Sequence, residues 1–160
     1  MKKTLAICSV LLGISSGVGA DSFEIVLQPS ELLRQGNDYL HQGELEKAKK
    51  ILVRALDSNL TNSQRANVHN SLCVAHIKEE DWSSAMGHCD SAIEKLPTNW
   101  RFHNNLGNIH FGLGNYHEAL SSYQKGRKIA PKSLTIAENI KMLEDYTRRR
   151  GIKLSSIDPA

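Results

Sequence analysis

After its first twenty residues this chain has no apolar run long enough to cross a bilayer, which takes about 20 consecutive apolar residues in a helix, so no integral membrane span is expected there. It also lacks an excess of either charge. With Lys2 and Lys3 set aside, 18 basic side chains face 17 acidic ones, a balance near +1 that favours neither nucleic acid nor an anionic membrane surface. Cysteine is scarce. Of three in all, only Cys73 and Cys89 follow the leader, and no Cys-x-x-Cys pair is present to carry redox chemistry. There is no glycine-rich phosphate loop, no nucleophile and base at a recognisable spacing, and no paired-carboxylate pocket. Ser121 and Ser122 fall mid-helix with no base fixed nearby. These absences argue against an enzyme and imply no cofactor.

Residues 1–20 read as a secretory leader. Lys2 and Lys3 give a positive start, Leu5 to Ile14 an apolar core, and Val18-Gly19-Ala20 a small-residue cleavage site. The apolar core is short for a membrane anchor; a retained anchor, tethering the protein to the membrane, is the alternative. Cleavage before a lipid-modified Cys8 is rejected, because Ile7 is bulky and too little apolar sequence precedes it. The expectation is a mature chain from Asp21 to Ala160, exported across an inner membrane to a bacterial periplasm.

What the chain has is period. Ala48, Ala85 and Ala119 recur at spacings of 37 and 34 residues inside a shared pattern of glycines, aromatics and leucines. Self-similarity at 20–50 residues marks stacked units that bury their apolar faces only against neighbours. A short lead over 21–29 ends at Pro29, and Ser30 is placed to cap a first helix carrying Leu32, Leu33, Tyr39 and Leu40. A second helix runs from Leu45 to Leu56. Thr61-x-x-Gln64 has the form of a capping box, opening a third helix that runs to about Lys78. Asp81 caps a fourth that ends before Pro97. A fifth spans 99–113 and a sixth 116–130, with Asn115-x-x-Glu118 as a second capping-box-like start. A seventh runs from about Ser133 to Arg150, with Ile136, Ile140 and Leu143 on one side as a cap needs. Arg148, Arg149 and Arg150 suit a helix C-terminus, and residues 151–160 read as a loose tail.

Asn105-Leu106-Gly107-Asn108, Leu113-Gly114-Asn115-Tyr116, Glu118-Ala119, Tyr123 and Pro131 closely resemble the tetratricopeptide repeat. Gly36, Tyr39, Gly43, Ala48, Leu52 and Ala55 match in a first unit, and Leu72, Ala85, Ala92 and Pro97 in a second. The resemblance implies an all-α, right-handed α-solenoid of three helix-turn-helix repeats, about 30–60, 66–98 and 99–132, plus a capping helix over 133–150. Small residues at crossings (Gly36, Cys73 and Gly107 on first helices, the three alanines on second helices) let helices approach closely. The sequence departs from the family in its long 57–63 loop, in Leu60 where proline is usual, and in His69, His76, His103 and His110 where aromatics are common.

The family's groove is lined by first helices and holds peptides or terminal carboxylates. By that resemblance Asn37, Asn70, Arg101, Asn105 and Asn108 are the candidate peptide-binding residues. An amide offers both donor and acceptor to a peptide backbone, and Arg101 a forked donor to a carboxylate. The lysine of the family's carboxylate-clamp version is replaced by Leu33, and Asn105 and Asn108 have an alternative role in tying helices together. The implied function is an adaptor or scaffold for a protein or peptide partner; a subunit that self-associates through its stack ends is the alternative.

Cys73 and Cys89 each lie eight residues from Asp81 at the turn between third and fourth helices, so antiparallel helices hold them at one height. A disulfide closing about 16 residues is worth about 3 kcal/mol in the chain-entropy model, and an oxidising compartment favours it. Two reduced thiols packed as small apolar groups are the alternative. His103, His110 and His117 are spaced by seven, as are His69 and His76. Two turns separate such rings by about 10 Å along the axis, too far for one ion. No metal site is expected; rings filling interfaces are, with His117 exposed.

Overall fold

The computed structural model describes residues 28–154. The leader, its cleavage site, most of the extended lead and the end of the tail lie outside the described residues. Within them the chain forms seven helices and no strand: α1 (Pro29–Gln42), α2 (Leu45–Leu56), α3 (Asn62–Lys78), α4 (Trp82–Lys95), α5 (Trp100–Gly112), α6 (Tyr116–Ile129) and α7 (Leu134–Arg149). Consecutive helices pair as hairpins, α1 with α2, α3 with α4 and α5 with α6. Each hairpin stacks on the next, and α7 closes the row against α6.

The ends of the helices follow from local chemistry. Thr61 accepts from the Gln64 amide, and the Gln64 side chain reaches back to the Thr61 amide at 2.9 Å, a complete capping box. Asp81 caps α4 through Ser84, and Ser133 caps α7 through Ile136. Two expectations are corrected. Pro29 opens α1, so Ser30 lies inside the helix and Gln28 stands at the cap without a side-chain bond; proline's fixed φ suits the first helical position. Asn115 makes no side-chain cap bond either, although α6 starts where expected. Gly43 and Gly114 turn within their hairpins at φ 78°. The equivalent residue of the middle hairpin is Glu80, at φ 57°, a conformation that costs a side chain roughly 1–2 kcal/mol.

Small residues at the crossings set how closely the hairpins close. Ala48, Ala85 and Ala119 are wholly buried. A methyl on Gly36 would stand 2.6 Å from the Leu52 side chain, and one on Gly107 would strike the Tyr123 ring. Leu52 and Tyr123 therefore lie flat on glycine backbone. The middle helix α3 buries two sides at once: Val68, Leu72 and Ala75 join the core of the first hairpin, while Cys73 meets Ala85, Cys89 and Ile109. That double burial explains why α3 has no single apolar stripe. Ile136, Ile140 and Leu143 of α7 pack on Ala119, Leu120 and Tyr123.

A disulfide joins Cys73 to Cys89, with the two Cα atoms 5.3 Å apart. It ties α3 to α4 in the middle hairpin, and both cysteines are fully buried.

Candidate functional site

The first helices α1, α3 and α5 pack directly on one another along one side of the stack. A cavity of about 500 Å³ opens there. Asn37, Leu40 and His41 of α1 form one wall, Asn70, Ser71, Val74 and Lys78 of α3 the floor, and Arg101 of α5 the far edge. Helical periodicity makes this surface: Asn70, Val74 and Lys78 stand one turn apart on α3, and Asn37 and His41 one turn apart on α1. No acidic side chain lines the cavity, so Lys78 and Arg101 give it a positive character. Arg101 lies over the Trp100 ring at 4.8 Å, which fixes the plane of its guanidinium while the residue stays exposed.

Beside the cavity, amides and a hydroxyl join each first helix to the next. Ser71 Oγ donates to Asn37 Oδ1 at 2.6 Å, Asn105 Nδ2 to Asn70 Oδ1 at 2.8 Å, and Asn139 Nδ2 to Asn104 Oδ1 at 2.8 Å. The partners lie 34 or 35 residues apart, one repeat length, so every unit is pinned to its successor by one such bond. Asn108 accepts from the Tyr123 hydroxyl at 2.7 Å and, more distantly, from Asn139 at 3.5 Å. Burial pushes the Tyr123 hydroxyl far above its usual range, so it stays a donor.

Three of the five residues singled out from the sequence, Asn37, Asn70 and Arg101, thus line one cavity. Asn105 is one hydrogen bond away from it. Asn108 lies outside that lining, and its Oδ1 is engaged at the junction of α5, α6 and α7. Sequence reasoning missed Leu40, His41, Ser71, Val74 and Lys78. Stepping one and two turns on from Asn70 leads to Val74 and Lys78, so that signal was present. The histidine rings lie at contacts between elements. His69 and His76 meet His88 of their own hairpin, and His103 bonds the Pro97 carbonyl at 2.8 Å.

Residues 100–133 match the family described as Tetratricopeptide repeat. Among solved structures, the first TPR domain of human RPAP3 is similar with a TM-score of 0.70 at 15% identity, over 77% of this chain and 94% of that one. The Arabidopsis OM64 TPR domain gives 0.66 at 18% identity, over 74% and 95%. The first TPR of Spaghetti (RPAP3), bound to the HSP90 peptide SRMEEVD, gives 0.67 at 16% identity, over 75% and 93%. The fold is the tetratricopeptide-repeat solenoid. At these identities the likeness speaks for architecture, and the contents of the groove are this chain's own. In this groove the cations come from α3 and α5, while α1 contributes amide, apolar and imidazole groups.

Proposed function

We propose that the protein is an exported adaptor that holds an extended, carboxylate-bearing peptide segment of a partner protein in the groove of its first helices. The observation that carries this reading is the cavity that gathers Lys78 and Arg101 with Asn37 and Asn70 and has no acid in its lining. Lys78 and Arg101 supply charge-assisted donors for a carboxylate, the amides address peptide backbone, and Leu40 and Val74 accept an apolar side chain. Similar folds lend support: RPAP3 domains hold the peptides SRMEEVD and SGPTIEEVD, both ending in acidic residues. Export to a periplasm is supported by the leader pattern of residues 1–20.

The test is isothermal titration with a panel of acidic heptapeptides, each as free acid and as C-terminal amide. At least one free acid should bind. Lys78→Ala and Arg101→Ala should each weaken it by about tenfold or more, since a hydrogen bond to a charged group is worth about 1.5–3 kcal/mol. Absence of binding across the panel, or affinity indifferent to both substitutions, overturns the groove reading. For export, N-terminal sequencing of envelope-fraction protein should begin at Asp21; a chain retaining Met1 overturns cleavage.

A further inference from the structure

Away from the groove, the middle hairpin carries three imidazoles in a row. His69 Nδ1 of α3 and His88 Nδ1 of α4 are 3.1 Å apart. Their ring centroids are 5.4 Å apart, a separation nearly used up by the bond and the two rings' own radii, so the nitrogens point head-on at each other. His88 stacks on His76, centroids 5.5 Å apart and planes 14° from parallel. The row lies beside the disulfide: Cys73 falls between His69 and His76 on the same side of α3, and Cys89 follows His88.

One proton fits between two nitrogens that face each other. In the neutral pair one ring donates from Nδ1 and the other accepts, which fixes opposite tautomers. A first added proton goes to the donor ring's Nε2 and strengthens the bond by giving it charge. A second added proton must occupy the accepting Nδ1, leaving two N–H groups opposed on two cations. The bond then breaks.

We propose that the His69–His88–His76 row is an acid-operated switch at the junction of the first and second hairpins. The charged groups around it set its direction. His69 faces Arg65 of α3 and Glu94 and Lys95 of α4; burial first, then His88, Lys95 and Arg65, hold it below its ordinary value of 6.5. His88 is held down by burial and then by His76. His76 Nδ1 lies 3.1 Å from the Asp81 carboxylate and 3.6 Å from Glu79, but without hydrogen-bond alignment, so those approaches become ion pairs when the ring is charged. Glu79 is itself paired with Lys49 of α2 at 2.7 Å, and Lys49 with Glu46.

The disulfide keeps α3 and α4 together whatever the imidazoles do. Charge gathered on the row therefore acts outward, through His76, Glu79 and Lys49, on the seat of α2. In acid the first hairpin loosens while the second stays closed. A consequence for cargo rests on the groove reading above; the switch itself does not.

The third unit supplies a substitution already accommodated by the fold. Thirty-four residues after His88 stands Ser122, and after His76 stands His110, so His88→Ser makes the middle hairpin resemble the last. The experiment is a proton–carbon NMR titration of the histidine rings in the full oxidised chain from pH 8 to 4.5, with amide exchange of α2 and α6 corrected for intrinsic rate. His69 and His88 should titrate together in two steps, the second well below 6.5, and His88→Ser should move the His69 step upward. Exchange in α2 should rise about tenfold between pH 7.5 and 5 relative to α6, and this rise should vanish in His88→Ser and His69→Gln. Independent single-step titrations at ordinary values, an unmoved His69 step, or an α2 response equal in wild type and variants overturns the proposal. The second variant decides the matter if the first does not fold.

Discussion

Glu80 occupies the turn position that the flanking hairpins give to Gly43 and Gly114, and it does so at positive φ. A side chain there is strained, because Cβ crowds the following carbonyl. Glu80→Gly should relieve that strain, partly offset by the greater freedom of glycine in the unfolded chain. The net gain expected is about 0.5–1 kcal/mol, read as a higher urea midpoint with an unchanged slope. Gly107 gives the opposite case. It has no room for a methyl against Tyr123, so Gly107→Ala should cost about 1–3 kcal/mol through overpacking, read in the same denaturation experiment. At this scale much was legible beforehand, since small residues at crossings, the Thr61–Gln64 box and the Asp81 cap are all local patterns. The pairing of His88 with His69 was not, because it joins residues of two helices whose relative rotation no single helix period encodes. Lys78 was missed for a simpler reason: on the sequence it reads as the end of a helix rather than the floor of a cavity.

Between elements, the repeat-length spacing of the bonded pairs is the main finding. Asn37–Ser71, Asn70–Asn105 and Asn104–Asn139 each join a first helix to its successor. A double-mutant cycle on Asn104→Ala and Asn139→Ala should return a coupling of about 0.5–1.5 kcal/mol. Coupling indistinguishable from zero would mean that these amides are adequately served by water. The extents of α2 and α3 were readable because strong punctuation bounds them: Gly43, the Thr61 cap and the Asp81 cap. The start of α1 lies two residues earlier than Ser30 as its cap implies, because Pro29 suits both the end of a lead and the first turn of a helix. The cysteine pair was readable from equal distances to one turn, because antiparallel neighbours share a height there. Replacing both cysteines by serine should lower stability by about 2–4 kcal/mol, measured against the oxidised chain by thermal unfolding.

At the scale of the whole molecule, stability should depend on pH in a direction set by His69 and His88. Both are held below their ordinary 6.5 in the folded chain, so just below that value the unfolded chain binds more protons. Stability therefore rises with pH through this window and is lost as pH falls from about 6.5 toward the folded values. The melting temperature should drop between pH 7.5 and 5, and by less in His88→Ser; an equal drop would assign the effect to other groups.

An array in which each unit leans only on its neighbours frays from its ends inward. Here the central pair of helices is riveted, so a chain peeling from either terminus meets a covalent stop halfway along. Two short arms, rather than one long spring, hang from that fixed point. Pulled or heated, the oxidised protein should yield its outer turns first and surrender its centre last, and a reductant would erase the distinction.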